Sequence, residues 1–349
     1  MRFITRTRFA EHLNENSKTP ERLTGTCCAT CLRRPRGSAS LRACIELALC
    51  LLCLLSTIAV ADEPALRRQV DVIYGRKHGM ALTMDVFSPR QQANGRGVIS
   101  VISGGWFSSH DLDGILPYFT PLVDRGYTVF AVVHGSQPKY AIPEMIEDME
   151  RAVRFIRFHA QDYGIDDDYI GIYGSSAGGH LALMQGTAGD EGDPKAADPI
   201  DRISSRVQAV VCFFPPTDFL NYGKPNEIAL GRGTLWDFKA PFDFHEFDPK
   251  QKMFVKVTDE EKILAIGREI SPINHVSADD PATLIFHGDK DWLVPIQQSE
   301  SIVERFQQAG VEAKLVVKRG AEHGWPDTAK EMSLLVDWFD RHLKTPPRR

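Results

Sequence analysis

Three segments of the sequence carry side chains that could together perform nucleophilic catalysis. The first is a Gly-Ser-Ser-Ala-Gly stretch centred on Ser176, which fits the pattern Gly-x-Ser-x-Gly. The second contains Asp289 and Asp291, and the third contains His323 in a Gly-Ala-Glu-His-Gly-Trp stretch. A serine hydroxyl is too weakly acidic to attack an ester unaided, so a histidine must accept its proton and a carboxylate must orient that histidine. These residue types, in this order along the chain, predict a serine nucleophile with its acid and its base.

Two neighbouring aspartates compete for the role of the acid. Asp289 directly follows Gly288, where a carboxylate commonly bonds its own turn, whereas Asp291 lies farther out in the loop. We therefore favour Asp291 and keep Asp289 as the alternative. Asp218 is a third candidate, but it leaves an earlier predicted strand, and we expect it to cap a helix or anchor a lid instead.

The base is predicted by its position along the chain. Only His323 and His342 follow the aspartates, and His342 falls within a predicted helix over residues 328–343. His323 instead lies in a loop that follows a predicted strand, at the edge where the acid loop also emerges. The sequence therefore predicts a catalytic triad of Ser176, Asp291 and His323.

The residues around Ser176 predict the local structure that this chemistry requires. An apolar run over residues 169–173 predicts a strand before the serine, and the residues after it predict a helix. A sharp strand-to-helix turn built from small residues would hold the Ser176 hydroxyl above a sheet, at a helix N-terminus. The alternative is a glycine-rich helix cap without chemistry.

The tetrahedral intermediate of acyl transfer needs backbone N–H donors for its oxyanion. One donor normally comes from the residue after the nucleophile, here Ala177, and another from a loop after an early strand. The segment Ser103-Gly-Gly-Trp106 follows an apolar run and could supply the second donor, because glycines let the backbone approach a substrate. An ordinary turn is the alternative for the two glycines.

These loops must be positioned by the elements between them, in which strand-like and helix-like segments alternate. Alternation of buried strands with helices is typical of a mostly parallel, twisted sheet with helices on both faces, which places the chain in the α/β class. The predicted strands cover residues 70–74, 82–87, 97–103, 127–133, 169–173, 207–214, 283–287 and 313–318, and the main predicted helices cover residues 112–124, 143–159, 296–309 and 328–343.

An insertion over residues 215–277 interrupts this rhythm. It is rich in proline and aromatic residues, and it ends in a helix for which Thr258 and Glu261 predict a capping box. An excursion of this length usually covers a site, so we favour a lid over a surface appendage that packs its own aromatics. Aromatic faces can stack on sugar rings or aryl groups, and Trp236 is the predicted substrate-binding residue.

Composition restricts the class of protein. The 349 residues are 43% hydrophobic and 25% charged, which is typical of a globular chain and not of a disordered or polytopic membrane protein. Residues 1–61 hold nine of the 41 basic and four of the 46 acidic residues, so the rest has a net charge of −10. A segment with this net negative charge, here residues 62–349, has no general attraction to nucleic acid. Six of the seven cysteines lie within the first 53 residues, so Cys212 is the one cysteine within residues 62–349.

The first 61 residues predict a leader with a signal peptide. Residues 47–61 are uncharged and mostly apolar, too short for a typical membrane span, and they end in Ala-Val-Ala before Asp62. The basic stretch before them is unusually long, so either the start codon is assigned too early or a further pre-segment exists. We expect cleavage after Ala61, which leaves residues 62–349 as a single exported domain without stable membrane insertion.

These motifs together resemble the α/β-hydrolase superfamily, over about residues 70–343. Within it, the chain resembles secreted esterases related to feruloyl and acetylxylan esterases, hormone-sensitive-lipase-like esterases and the catalytic domain of prolyl oligopeptidases. The most specific stretch is Gly-Ser-Ser-Ala-Gly-Gly-His over residues 174–180. The resemblance implies backbone oxyanion donors at Gly105 and Trp106, and it implies no metal or organic cofactor. One departure is that Ser103 stands where the esterase loop usually has the histidine of a His-Gly-Gly motif.

The favoured function is an exported serine carboxylesterase acting on short acyl or aromatic esters, including esters of carbohydrates. A peptidase similar to prolyl oligopeptidases is the first alternative, although 288 residues after cleavage leave no room for a gating propeller domain. A non-catalytic binding protein with a hydrolase-like fold is the second, and the presence of all three triad residues disfavours it. The oligomeric state stays open.

Overall fold

The computed structural model of the chain describes residues 66–111 and 114–344, all within a unit that spans Glu63–Arg349. The predicted leader over residues 1–61 lies outside the described residues. The strands are β1 Leu66–Lys77, β2 Met80–Pro89, β3 Gly97–Ile102, β4 Thr128–Val133, β5 Ile170–Ser175, β6 Ala209–Phe213, β7 His245–Asp248, β8 Met253–Lys256, β9 Ala282–Gly288 and β10 Ala313–Lys318. The α-helices are α1 Leu116–Asp124, α2 Ile142–Phe158, α3 Ala177–Ala188, α4 Glu260–Glu269, α5 Gln297–Gln308 and α6 Ala329–His342. Among the described helices, none has the length and apolar character needed to cross a membrane.

Eight strands form one sheet in the order β1-β2-β4-β3-β5-β6-β9-β10. Six of these strands pair in parallel, in the order β4-β3-β5-β6-β9-β10. The strands β1 and β2 form an antiparallel hairpin, and β2 pairs antiparallel with β4. The expected mostly parallel sheet is therefore confirmed. Because parallel strands share a direction, the loops after β3, β5, β9 and β10 emerge at the same edge, and these loops carry the predicted site residues.

Helices cover both faces of this sheet, as expected for an α/β protein. Side chains of α2, α3 and α5 pack into one buried cluster, which also holds Tyr74, Ile99 and Ile172. Side chains of α1 and α6 pack into a second cluster on the opposite face with Tyr127 and Phe286. The sheet is therefore buried on both sides and forms a rigid platform for the loops at its edge.

The helix α2 illustrates why these segments are helical. Met145, Met149, Val153 and Ile156 recur at a helical spacing and are all fully buried. The first turn is capped because the Glu144 carboxylate accepts a hydrogen bond from the N–H of Ala141, at 2.8 Å. The sequence pattern therefore predicted both the helix and the face that it buries.

The insertion lies between β6 and β9, which are parallel neighbours in the sheet. It contains a two-stranded antiparallel hairpin, β7 with β8, which the sequence pattern did not predict. It also contains α4, but the predicted capping box is wrong: Asp259 is the N-cap, and its carboxylate accepts hydrogen bonds from the N–H groups of Glu261 and Lys262. The helix begins one residue later than Thr258 would place it.

Candidate active site

Ser176 occupies a sharp turn between β5 and α3. Its backbone has φ of 52° and ψ of −121°, a strained conformation for a residue with a side chain. Glycines make this turn possible, because a Cβ on Gly174 would lie 2.4 Å from backbone atoms of Gly178. A Cβ on Gly178 would in turn lie 2.8 Å from the carbonyl oxygen of Val101. The strand and the helix therefore pack closely enough to hold the Ser176 hydroxyl at the edge of the sheet.

Three side chains form a continuous hydrogen-bond path at this edge. The Nε2 atom of His323 lies 2.9 Å from Ser176 Oγ, and its Nδ1 atom lies 2.7 Å from Asp291 Oδ2. A carboxylate only accepts hydrogen bonds, so the Asp291 contact places the proton of a neutral His323 ring on Nδ1. His323 Nε2 is then free to accept the hydroxyl proton of Ser176, which is the arrangement that activates a serine.

Asp291 is held as a carboxylate in a buried environment. Burial alone would raise its pKa, but hydrogen bonds from His287, from His323 and from the N–H of Val294 outweigh burial and hold the pKa well below its usual range. Its Oδ1 atom accepts from the N–H groups of Leu293 and Val294, at 3.0 and 2.8 Å. These bonds orient the second oxygen, Oδ2, toward His323.

The other two candidate acids have different partners. Asp289 Oδ1 accepts a hydrogen bond from the N–H of Gly320, at 2.6 Å, and so joins the loops after β9 and β10. Asp218 accepts from the N–H groups of Leu220 and Asn221 at the start of the insertion. Both carboxylates therefore organise loops, and the structure places neither in the path that reaches Ser176.

The predicted oxyanion residues form a tight turn beside the nucleophile. Gly104 and Phe107 exchange two backbone hydrogen bonds of 2.9 Å. The two residues that lie between Gly104 and Phe107 have positive φ, 55° at Gly105 and 59° at Trp106. Positive φ at both central residues defines a type I′ turn. We call the segment 103–108 the oxyanion turn. Ala177 is the first residue of α3, where an N–H has no acceptor within the helix.

The bulky Trp106 tolerates this conformation because its side chain is firmly held. It is 2% exposed, and its indole N–H donates to His180 Nδ1 at 3.2 Å. The other nitrogen of His180 donates to the carbonyl of Ile270, at 2.7 Å. His180 was not predicted as a functional residue, although it ends the Gly-Ser-Ser-Ala-Gly-Gly-His stretch that carries the resemblance.

A cavity of about 320 Å³, here called the Ser176 cavity, joins the triad to the oxyanion turn. Gly105, Trp106, Ser176 and His323 all line it. Residues of the insertion close one side, namely Tyr222, Leu235 and Phe238. The Phe238 ring packs directly on the turn, because a Cβ on Gly105 would lie 2.7 Å from it. Trp236, the predicted substrate-binding residue, is 60% exposed and lies next in the chain to Leu235, outside the lining of this cavity.

A second cavity of about 530 Å³, here called the Tyr173 cavity, adjoins the first. Both cavities are lined by Ser103, Gly104, Ser175 and Phe214, which therefore form the boundary between them. Phe214 was also missed by the sequence analysis. Its ring lies 4.5 Å from that of His323, centroid to centroid, and limits where the imidazole can lie.

Among the described residues, one group with a buried carboxylate could offer ligand atoms to a metal ion, namely Asp71, Asp85 and His110. The buried member, Asp85, already accepts hydrogen bonds from the guanidinium of Arg68, at 2.7 and 2.8 Å. None of these residues lines the Ser176 cavity. The second group is the exposed run Asp166-Asp167-Asp168, which also lies outside that cavity.

Comparison with known families shows which family the chain belongs to. The model of the BD-FAE family matches residues 84–306, a range that includes the oxyanion turn, Ser176 and Asp291. The chain belongs to the BD-FAE family. The match covers more than half of the chain and spans the sheet from β2 to β9 together with the insertion.

Curated relatives of this BD-FAE member include esterases. The chain is 28% identical over 241 residues to the probable carboxylic ester hydrolase LipM of Mycobacterium tuberculosis, which covers 68% of this chain and 51% of that protein. The chain thus spans about half the length of the curated relatives it matches.

Solved structures show the same fold. A truncated carbohydrate esterase from gut microbiota is 25% identical, with a TM-score of 0.63 over 81% of this chain and 98% of that chain. An acetyl ester-xyloside bifunctional hydrolase from Caldicellulosiruptor lactoaceticus is 21% identical, with a TM-score of 0.62 over 78% of this chain and 95% of that chain. The BD-FAE member therefore has the α/β-hydrolase fold.

Proposed function

We propose that the protein is a serine carboxylesterase that hydrolyses short acyl or aromatic esters, including esters of carbohydrates. The observation that carries this proposal is the path from Asp291 through His323 to Ser176, which ends in a cavity beside the oxyanion turn. The esterase relatives support it, as does the fold shared with the carbohydrate esterase from gut microbiota.

The proposed reaction has two stages. Ser176 Oγ attacks the carbonyl carbon of the ester, its proton passes to His323 Nε2, and the N–H groups of the oxyanion turn and Ala177 stabilise the negative oxygen. His323 then donates that proton to the leaving alkoxide, and an acyl-Ser176 ester remains. Water, deprotonated by His323, then attacks this ester. His323 returns that proton to Ser176 Oγ as the acid leaves, which restores the Ser176 hydroxyl.

The two cavities support an ester as substrate, because an ester carries a group on each side of the bond that breaks. Ser103, Gly104 and Ser175 separate a cavity of about 320 Å³ from one of about 530 Å³. Both are lined mainly by apolar side chains, and each would accommodate a short acyl chain or an aromatic ring.

The carbohydrate part of the proposal predicts a selective effect of Trp236→Ala. Trp236 is exposed and follows Leu235, which lines the Ser176 cavity. An exposed aromatic face can stack on a sugar ring, and stacking of this kind is worth about 1 kcal/mol. We expect KM for an acetylated xylo-oligosaccharide to rise about fivefold, while KM for a small aryl acetate stays within about twofold. Initial-rate kinetics on both substrates measure this difference.

The matched control for this experiment is Phe158→Ala, because Phe158 is another exposed aromatic residue, 47% exposed, outside both cavities. It should change neither KM. Equal effects of Trp236→Ala on both substrates would remove the sugar-binding role of Trp236. Cleavage of prolyl peptides faster than any ester tested would replace the esterase by the peptidase alternative.

We also propose that the protein is exported after cleavage behind Ala61. The support is the apolar run over residues 47–61 and its Ala-Val-Ala end. Intact mass and N-terminal sequencing of the protein from its native host are expected to give a chain that begins at Asp62. A chain that still carries the cysteine-rich leader would contradict this proposal and favour a membrane-tethered protein.

A further inference from the structure

The Ser103 hydroxyl, at the start of the oxyanion turn, has a histidine partner from a neighbouring strand. Ser103 Oγ lies 2.9 Å from His134 Nε2. The two residues meet because β3 and β4 are parallel neighbours in which Ile102 lies opposite Val133. Ser103 and His134 are therefore the next residues outward at the carboxyl edge of the sheet. The contact lies at the boundary of the two cavities, which Ser103 lines on both sides.

The direction of this hydrogen bond follows from the other side of the ring. His134 Nδ1 lies 2.8 Å from the carbonyl oxygen of Gly135, which can only accept, so Nδ1 carries the proton. Burial lowers the pKa of His134 to about 4, and the ring is neutral at neutral pH. His134 Nε2 therefore accepts the proton of Ser103 Oγ–H, which fixes the rotamer of Ser103.

Residues 134–137, here called the brace segment, contact the oxyanion turn near its start, middle and end. The contacts are Ser103 Oγ–H to His134 Nε2 at 2.9 Å, Gln137 N–H to Trp106 O at 3.2 Å, and Ser108 N–H to Ser136 Oγ at 3.1 Å. None of the three involves the triad. The brace segment therefore determines where the turn lies without taking part in proton transfer.

The helix α2 in turn holds the brace segment in place. The Asp148 carboxylate is 2% exposed, and it accepts a hydrogen bond of 2.8 Å from the N–H of Gly135. Its other oxygen lies 2.7 Å from Lys77 Nζ. The packing is tight, because a Cβ on Gly135 would lie 2.7 Å from the Tyr140 ring. These contacts leave the brace segment little room to shift relative to α2.

We propose that His134 is a positioning residue for the oxyanion hole and acts through the Ser103 hydroxyl. This inference rests on the proposed esterase function. Oxyanion donors contribute mainly in the transition state, and they contribute most when they are held in place before the reaction. Loss of the Ser103–His134 bond releases the start of the turn that carries Gly105 and Trp106. The loss therefore lowers kcat and has little effect on KM.

The test compares kcat per active site in variants of the full chain. An aryl phosphonate that labels Ser176 covalently gives the concentration of active sites. Ser103→Ala is expected to lower kcat per titrated site about 10- to 100-fold, with KM within about threefold. Affinity for a trifluoromethyl ketone, which mimics the tetrahedral intermediate, is expected to fall by the same factor as kcat/KM. Ser103→Thr keeps a hydroxyl and is expected to retain most of the activity.

Two further variants separate positioning from folding. Ser204→Ala removes a hydroxyl that donates to a backbone carbonyl at 3.0 Å outside both cavities, and it should leave kcat unchanged. His134→Phe keeps a ring of similar size but removes the acceptor. It is expected to lower kcat as Ser103→Ala does, and the double variant is expected to be no worse than either single one, because all three lack the same bond.

Several results would overturn the inference. Wild-type kcat per titrated site in Ser103→Ala, even with a lower melting temperature, would show a merely structural role. Additive losses in the double variant would show that Ser103 and His134 act separately. A wild-type protein that neither hydrolyses esters nor reacts with the phosphonate would instead overturn the proposed function.

Discussion

Replacing Ser176 with alanine is expected to lower kcat for ester hydrolysis by about five to six orders of magnitude. The Ser176 Oγ atom forms the acyl bond, and no other group in the path can substitute for it, because His323 and Asp291 only move and stabilise the proton. The fold should be unaffected. Within the described part of the chain, the side-chain hydrogen bond of the hydroxyl is the one to the His323 ring nitrogen, and alanine has the same backbone strain at φ of 52° as serine.

The neighbouring serine provides the control for this experiment. Ser175 is exposed and directly precedes Ser176, but the path from Asp291 does not include it. Ser175→Ala is expected to keep kcat within about threefold. Mass spectrometry after phosphonate treatment should find the adduct on Ser176 in the wild type and no adduct in Ser176→Ala. Loss of turnover in Ser175→Ala with normal turnover in Ser176→Ala would move the nucleophile by one residue.

The sheet and the grouping of the triad could be predicted because both depend on local patterns. Apolar runs of strand length alternate with helical stripes, and each predicted site residue follows such a run. Once the sheet is parallel, its carboxyl edge brings together loops that are far apart in sequence. The hydrogen-bond path between Ser176 and His323, 147 residues apart, needs no other long-range information. The catalytic roles stay predictions until the variants are measured.

Residues that hold the oxyanion turn could not be predicted in this way. His134 meets Ser103 only because β3 and β4 are neighbours in one register, and a single sequence does not give strand order or register. The contact between Trp106 and His180 depends on how α3 packs against the turn. A buried histidine has no sequence signal that distinguishes it from an exposed one, so both roles appear only in the structure.

The insertion shows a second limit of the sequence. Its aromatic residues divide between two environments. Tyr222, Phe242 and Phe244 are buried in the cluster that also holds side chains of α2, α3 and α5, whereas Phe247 in β7 is 54% exposed. Composition alone does not separate these cases. Two adjacent residues, Thr258 and Asp259, both carry side-chain oxygens that can cap a helix, and Asp259 is the cap because its carboxylate accepts two N–H groups at once.

Asp291→Asn is expected to lower kcat by about four orders of magnitude without loss of the fold. The amide oxygen can replace Oδ1 as acceptor for the N–H groups of Leu293 and Val294, so the loop should keep its shape. The amide NH₂ would then face His323 Nδ1 and donate to it. This places the imidazole proton on Nε2, where the ring can no longer accept the proton of Ser176. An amide also cannot stabilise the charged imidazole of the transition state.

Asp289→Asn is the matched control, because an amide oxygen can still accept the hydrogen bond from Gly320. We expect its kcat to stay within about fivefold of wild type.

Thermal unfolding against pH gives a second readout. The pKa of Asp291 lies below its ordinary value in the folded protein, so its carboxylate stabilises the wild type above about pH 3.9, and this contribution is lost as the pH falls through the folded pKa. The melting temperatures of wild type and Asp291→Asn should therefore converge in acid. A larger loss of activity in Asp289→Asn than in Asp291→Asn would assign the acid to Asp289 and require the loop after β9 to rearrange before catalysis.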